Sequence, residues 1–347
     1  MKQPLAGIIA TILVMAVSLG FISLFDFPLF AGWVAYLLLC IIPIQIVTAV
    51  LWRCGVPEFA GNQKQPVKGV LLLGVNAVVA AIVAYLYFQF AGAAIGPPTP
   101  MLAMCTIVSV IITFWFCIVW GGWPFTAVIR NPLAAGLVTL AAAYIVNYII
   151  FRFVFDYGFM QGAPVYVPQL DPHGLVPAWN ALAFYLTLLA SMFLIVNFDL
   201  WPLTNFPSVM KQPVLGLVWT ICCFVLAAII YNIGVRGFGM DPMQFMVRVP
   251  VPFVFGTIVV QNMMQGSLFA KLKGPMKGVA NALAVVVFGQ VLAAFYRAMM
   301  PVVTAPLPAG GPGYDAEVWL ASALLSVTFP FLIFYAEFFQ FWPLQKA

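Results

Sequence analysis

Ten runs of about 20 mostly apolar residues follow one another along the chain, and each is long enough to cross a bilayer as an α-helix. A helix pairs its own backbone groups, so it can lie in lipid where an irregular segment cannot. No polar block of domain size separates the runs. The sequence therefore predicts one all-α polytopic membrane domain over residues 1–347, with spans at approximately 4–25, 28–52, 66–90, 100–122, 132–155, 178–200, 213–235, 248–268, 275–297 and 316–341.

Composition supports this fold class and excludes a soluble one. Only 7% of the residues are charged, whereas 65% are apolar. A soluble domain carries about 25% charged residues because its surface must face water. The net charge of +5 does not indicate nucleic-acid binding, since basic residues accumulate in the cytoplasmic loops of membrane proteins. The partner predicted from composition is the lipid bilayer, and no nucleic acid is expected.

The basic residues are divided unequally between the two sides of the predicted membrane. All eight lysines and two of the six arginines fall on the side of the N-terminus. The opposite side holds only arginines, namely Arg152, Arg236, Arg248 and Arg297. The positive-inside rule then predicts that both termini are cytoplasmic. The predicted location is the inner or plasma membrane, with N-in/C-in topology.

The joints on the cytoplasmic side repeat a short pattern. The odd-numbered spans begin at a proline: Pro4, Pro66, Pro132, Pro213 and Pro275. Three even-numbered spans end in Trp-Pro, span 2 ends at Trp52, and span 8 ends in MMQGSLF. The chain begins MKQPLAG and ends FWPLQKA, so it starts and finishes within this pattern. These features predict five two-helix repeats, one of them split by the termini.

The split repeat suggests how the bundle is arranged. If the five repeats close into a pseudo-fivefold ring, helix 10 packs beside helix 1. The alternative is an open array of hairpins whose shared joints only mark the membrane interface. All five copies have the same orientation, which differs from the inverted halves of many secondary transporters.

Polar side chains within the even-numbered spans are the candidate functional residues, because an unpaired polar group is costly in lipid. Six lie toward the cytoplasmic ends: Gln45, Asn197, Gln261, Asn262, Gln265 and Glu337. Counted back from the end of each span, most share one helical face, which predicts a substrate path. The alternative is hydrogen bonding between helices, at about 1 kcal/mol per bond. Glu337 is predicted to couple a proton or cation, or else to pair with a cytoplasmic lysine such as Lys346.

Three arginines occupy matching sites at the outer ends of odd-numbered spans. Arg152, Arg236 and Arg297 each follow a helix-opening proline by 20 to 23 residues. A guanidinium group binds carboxylate or phosphate through a planar fork, so these residues are predicted to recruit an anionic solute. The alternative is that they pair with outer acids, namely Asp156, Asp241, Asp315 or Glu317, and anchor the helix ends.

Motifs for catalysis or cofactor binding are absent from the sequence. It has no HExxH, GxSxG or Walker A pattern, its single histidine (His173) lies in a loop, and its six cysteines lack ligand spacing. We therefore predict no enzyme activity, no cofactor and no metal site.

Two functions fit these observations. The polar face and the outer arginines favour a membrane permease or channel for a small polar or anionic solute. The short loops and the 16% of aromatic residues also suit a non-catalytic scaffold or anchor subunit of a larger membrane complex. The expected protein partners are further copies of the chain or other membrane subunits.

Overall fold

The computed structural model describes residues 2–162, 166–311 and 313–345. Ten helices in this part of the chain are long and apolar enough to span a membrane, which confirms the predicted multi-pass helical class. They are α1 Leu5–Ile22, α2 Phe27–Leu51, α3 Val67–Phe90, α4 Pro100–Val119, α5 Pro132–Val154, α6 Ala178–Asn197, α7 Val214–Gly237, α8 Pro242–Met263, α9 Gly274–Val303 and α10 Asp315–Phe338. Lys346 lies outside the described residues.

The connections contain only short elements. These are helical turns at Glu58–Gly61 and Phe125–Val128, 3-10 turns at Gly158–Met160, Pro168–Leu170 and Leu203–Asn205, and two parallel strands, β1 Phe155–Asp156 and β2 Val176–Pro177. The strands are two residues long, so they hold a loop in place rather than form a sheet layer. We call the side of the bundle where α1 begins and α10 ends the terminal side.

Local capping explains where several helices begin. Thr99, Asn131 and Asp241 each accept a backbone N–H from the first turn, and each precedes a proline at the first helical position. The cap at Asp241 starts α8 at Pro242, whereas the apolar run alone predicts a start near residue 248. Arg248 therefore lies inside the helix. At its far end, α9 continues through Pro301 to Val303, beyond the predicted 297.

The even-numbered helices form the inner layer of the bundle. Between 61% and 78% of their most apolar stretches are buried, against 22% to 50% for the odd-numbered helices. Each even-numbered helix contacts the next even-numbered one, and α10 contacts α2. The odd-numbered helices pack against this inner layer from outside, and α1 contacts both α8 and α10.

All five even-numbered helices end in a turn of the same shape. Two consecutive residues have positive φ angles: Arg53–Cys54, Gly121–Gly122, Asp199–Leu200, Gln265–Gly266 and Gln340–Phe341. The residue that follows each pair donates its N–H to the carbonyl of the residue that precedes the pair. These bonds run from Gly55 to Trp52, Trp123 to Trp120, Trp201 to Phe198, Ser267 to Met264 and Trp342 to Phe339. Bulky residues such as Leu200 and Phe341 rarely adopt positive φ, so tertiary packing holds these turns.

The shared turn corrects the register predicted from the sequence. Trp52 takes the position of Trp120 and Phe339, not that of the tryptophan in Trp-Pro. Span 8 lacks Trp-Pro altogether, yet α8 ends in the same turn through Gln265 and Gly266. Side-chain positions counted back from the predicted ends of the spans were therefore misaligned in spans 2 and 8.

Glycines near the starts of the odd-numbered helices leave space against which these turns pack. A Cβ atom at Gly69, Gly136, Gly216 or Gly278 would overlap the aromatic ring of Phe339, Trp52, Trp120 or Phe198, respectively. At Gly7 it would overlap the carbonyl oxygen of Met263. Small residues thus let the start of α3 meet α10, α5 meet α2, α7 meet α4, α9 meet α6, and α1 meet α8.

Candidate functional site

Glu337 and Asn262 form a hydrogen-bonded pair at the terminal side of the inner layer. Asn262 Nδ2 donates to Glu337 Oε1 at 2.9 Å, which joins α8 to α10. Each is the fourth residue of a π-helical turn, Val259–Met263 and Phe334–Phe338, at the end of its helix. Turns of the same kind, Val47–Leu51 and Trp115–Val119, end α2 and α4, so the turn is a feature of these helix ends rather than of this pair. Both side chains are half-buried, and Glu337 makes no ion pair with any described residue.

Asn197 is the centre of a second polar cluster, which joins α6, α8 and α9. Its Oδ1 accepts from Gln261 Nε2 at 2.8 Å, and its Nδ2 donates to Thr257 Oγ1 at 3.1 Å. Asn281 Nδ2 donates to the Asn197 backbone carbonyl at 3.1 Å. Asn197 is fully buried, so these bonds offset the desolvation of its amide.

The remaining two candidates lie apart from these clusters. Gln45 is fully buried, and its Nε2 donates to the Pro330 carbonyl at 2.8 Å, which joins α2 to α10. Its Oε1 has no hydrogen-bond partner among the described residues. Gln265 is exposed in the turn after α8, with a φ of 52°. Neither side chain contributes to a continuous polar surface with Glu337.

The hydrogen bonds direct the candidate side chains toward helix interfaces. Gln261 and Asn262 are adjacent in α8, yet Gln261 bonds to α6 and Asn262 bonds to α10. They therefore face different neighbouring helices rather than one shared surface. This arrangement corresponds to the alternative interpretation of these residues, in which they join helices.

The centre of the inner layer is apolar. A void of about 20 Å³ lies there, lined by residues from all five even-numbered helices: Leu39, Ile42, Ile107, Val110, Ile111, Phe114, Leu186, Leu189, Val254, Leu325 and Phe329. This volume would admit about one water molecule, but a buried water needs two to four polar partners. The void offers none, so a solute crossing at the centre would meet a dry constriction.

The outer arginines do not converge on a common anion site. Arg152, Arg236 and Arg297 are exposed on three different outer helices, and none forms an ion pair with a described residue. Arg297 Nη2 donates to the Val247 carbonyl at 3.3 Å. The outer acids also have other partners: Asp241 caps α8, and Glu317 accepts the N–H of Gly310 through both oxygens. The predicted pairing of arginines with these acids is therefore absent from the described residues.

Asp156, Asp171 and His173 are the described residues that come closest to a metal site. Their ligand atoms lie within 4.8 Å of one another in the loop that contains β1 and β2. Asp171, however, already accepts from the N–H groups of Tyr157 and His173 and from the Tyr166 hydroxyl. The carboxylate is occupied by these donors, so its clear role is to brace the loop.

Cys54 and Tyr314 are among the groups outside the membrane-spanning helices whose pKa values are strongly raised. Burial raises the pKa of the Cys54 thiol to about 12, and the nearby Glu337 carboxylate adds to the effect. Burial raises the pKa of Tyr314 to about 12, assisted by its hydrogen bond to Asp241. Both groups are therefore neutral at physiological pH, and Cys54 is not an activated nucleophile.

Sequence reasoning missed Thr257 and did not connect Asn281 to Asn197. Thr257 lies four residues before Gln261, which places both on one side of α8. That spacing was available in the sequence, but threonine is too common in membrane helices to stand out.

Comparison of the chain with protein-family models, curated proteins and solved structures gives no match.

Proposed function

We propose that this protein is a non-catalytic integral scaffold or anchor subunit of a larger membrane complex. One observation carries the proposal: four of the six candidate path residues, Asn197 with Gln261 and Asn262 with Glu337, bond to one another across helix interfaces, and the centre of the inner layer is apolar. A transporter needs a polar, water-accessible route, whereas a scaffold needs its polar groups to be satisfied internally.

We also infer that the scaffold consists of five two-helix repeats closed into a pseudo-fivefold ring. The shared turn at the end of all five even-numbered helices supports the repeat. The contacts of Gly7 with α8 and of Gly69 with α10 support closure, because they join the first helices to the last by the same kind of packing as elsewhere. The contact of α10 with α2 completes the inner layer.

The charge distribution supports an orientation with the terminal side in the cytoplasm. The positive-inside rule applies to short loops such as those that follow α2 and α8, which carry Arg53, Lys64, Lys271 and Lys273. An inner or plasma membrane is the location we propose. Cysteine labelling from each side of intact cells, with single cysteines placed in these loops, tests the topology.

The scaffold proposal is tested by native mass spectrometry of the protein extracted gently from its own membrane. We expect a stoichiometric complex with different membrane subunits. A chain that appears alone, or only with copies of itself, and that conducts solute in liposomes would overturn the proposal.

A double variant separates the scaffold from a transporter more sharply. Replacing Asn262 and Glu337 together, as Asn262→Leu/Glu337→Met, removes both partners of the pair and leaves no buried group unpaired. A scaffold retains its partner subunits after this change. A permease that uses Glu337 loses transport, although the protein still folds. Glu337→Met alone is the matched control, since it leaves Asn262 without its acceptor.

A permease for a small polar or anionic solute is the second candidate, favoured by one observation. Glu337 is a half-buried carboxylate near the end of a membrane helix, held by a neutral amide instead of a cation. Such residues in membrane proteins mark ion or proton pathways. Glu337→Gln should then change the pH dependence of solute flux in liposomes. An unchanged profile would remove Glu337 from the transport mechanism.

A further inference from the structure

A cavity of about 180 Å³ opens on the side of the bundle between α7 and α9. Its floor is formed by α6 and α8. The lining extends from Arg248, in the second turn of α8, to Leu194, near the end of α6. It is mainly apolar and consists of Thr187, Ala190, Leu194, Ile230, Arg248, Val249, Pro250, Phe253, Val286 and Gln290. None of the six candidate path residues lines it.

A break in the hydrogen bonding of α8 shapes the end of this cavity that lies near Arg248. Pro250 and Pro252 have no N–H, so two carbonyls of the preceding turn lose their helical donors. One of them belongs to Arg248, and Gln290 Nε2 of α9 donates to it at 2.8 Å. The Gln290 amide is thereby committed to the backbone. The cavity wall keeps one strongly polar group, the Arg248 side chain.

Arg297 adds a second positive charge to the same rim. Its Nη2 donates to the Val247 carbonyl at 3.3 Å, one residue before Arg248, so the two arginines lie at the same end of the cavity. Neither forms an ion pair with a described residue. Asp241, the acid nearest to Arg248 along α8, instead caps the helix and accepts from Tyr314. Two like charges without a counterion favour an anion at this rim.

The surroundings of the cavity indicate that this anion belongs to a lipid. Val249 and Val286 of the lining are exposed, so the cavity opens sideways. The flanking surfaces of α7 and α9 are apolar and exposed as well, with Ile229, Ile233, Val287 and Val291 more than half exposed. In a membrane, acyl chains cover such surfaces.

We propose that this cavity binds one acyl chain of an anionic phospholipid, whose phosphate lies against Arg248 and Arg297. The apolar lining would hold the chain, and the two guanidinium groups would each donate to phosphate oxygens. The site is independent of the scaffold function proposed above, since it needs neither partner subunits nor Glu337.

Native mass spectrometry of the full chain in nanodiscs tests the proposal. The probes are phosphatidylglycerol and phosphatidylcholine with identical acyl chains. We expect one tightly retained phosphatidylglycerol per chain, and a loss of its affinity by about tenfold or more in Arg248→Gln/Arg297→Gln. Excess inorganic phosphate should not displace the lipid, because phosphate lacks the acyl chain.

The matched control is Arg152→Gln, which removes an exposed outer arginine of α5, a helix that does not line the cavity. It should leave lipid retention unchanged, and equal losses in both variants would overturn the proposal in favour of diffuse attraction. Val286→Trp, at the exposed rim, should block the cavity and lower retention. Retention that survives this change would overturn the acyl-chain site. Thermal denaturation of each variant excludes misfolding as the cause.

Discussion

The inner and outer helices have similar hydropathy but differ in how their side chains pack and in which surfaces they expose. Mean hydropathy spans 1.6 to 2.5 for the inner helices and 2.0 to 2.5 for the outer helices. The inner helices pair polar side chains with one another, as at Asn197 with Gln261 and Asn262 with Glu337. The outer helices use glycines to approach the inner ones and expose their remaining apolar faces. An apolar span therefore predicts membrane insertion, whereas its place in the inner or outer layer depends on packing against the other helices.

The strongest test of this contrast is a bulky residue at the crossing of α8 and α9. A Cβ at Gly256 would overlap the Val285 carbonyl oxygen, so Gly256→Leu must push the two backbones apart. We expect the free energy of unfolding to fall by more than about 3 kcal/mol. Denaturation in a fixed detergent measures the change. Gly74→Leu on α3 is the control, since nothing lies within 4 Å of its Cβ; equal losses would contradict the layered packing.

The second test removes a ring from the apolar centre. Phe114 is 5% exposed and packs edge-on against Phe193 and Phe329. Phe114→Ala should lower the free energy of unfolding by about 2–3 kcal/mol, because the neighbouring rings lose their contacts. Phe153→Ala on α5, where the ring is 68% exposed, should change it by less than about 0.5 kcal/mol. A similar effect at both sites would mean that the centre is not closely packed.

The third test compares an asparagine that bonds to another helix with one that bonds only within its own helix. Asn197→Ala leaves Gln261 without its acceptor, so we expect a loss of about 1–2 kcal/mol. Asn232→Ala on α7 removes a side chain that bonds only to Ala228 of its own helix, and it should cost under about 0.5 kcal/mol. The same denaturation assay applies. If Asn197→Ala proves neutral, the amide does not stabilise the interface.

The smallest effect is expected where the two layers meet at the surface. Lys277 of α9 pairs with Asp199 after α6 at 2.7 Å, and the Asp199 side chain is 62% exposed. Asp199→Asn should cost at most about 1 kcal/mol because water screens the pair. The effect should shrink as ionic strength rises. An effect that persists at high salt would indicate that the pair is buried within the protein.

The fold class was predictable because each span carries its own signal. The odd-numbered helices α3 and α5 begin within one residue of the prediction, since Pro66 and Pro132 mark their starts. The start of α8 was missed because the polar cap at Asp241 lies outside the apolar run. Five of the six candidate path residues lie in helices that could span the membrane, whereas Gln265 lies in the turn after α8, and the hydrogen-bond partners of these residues were not predicted. Whether Gln261 meets α6 or α10 depends on which helices are neighbours.

The sequence by itself determined that this chain has ten helices able to span a membrane, which prolines stand at their starts, and which polar side chains each helix carries. These properties arise from transfer of single segments between water and lipid, so they are local. Only the tertiary structure decided which helices are inner, that Glu337 and Asn262 bond, and that a cavity opens beside Arg248. Those outcomes depend on packing between distant segments. Hydropathy favours the insertion of every helix into lipid, but it does not determine which helices become neighbours.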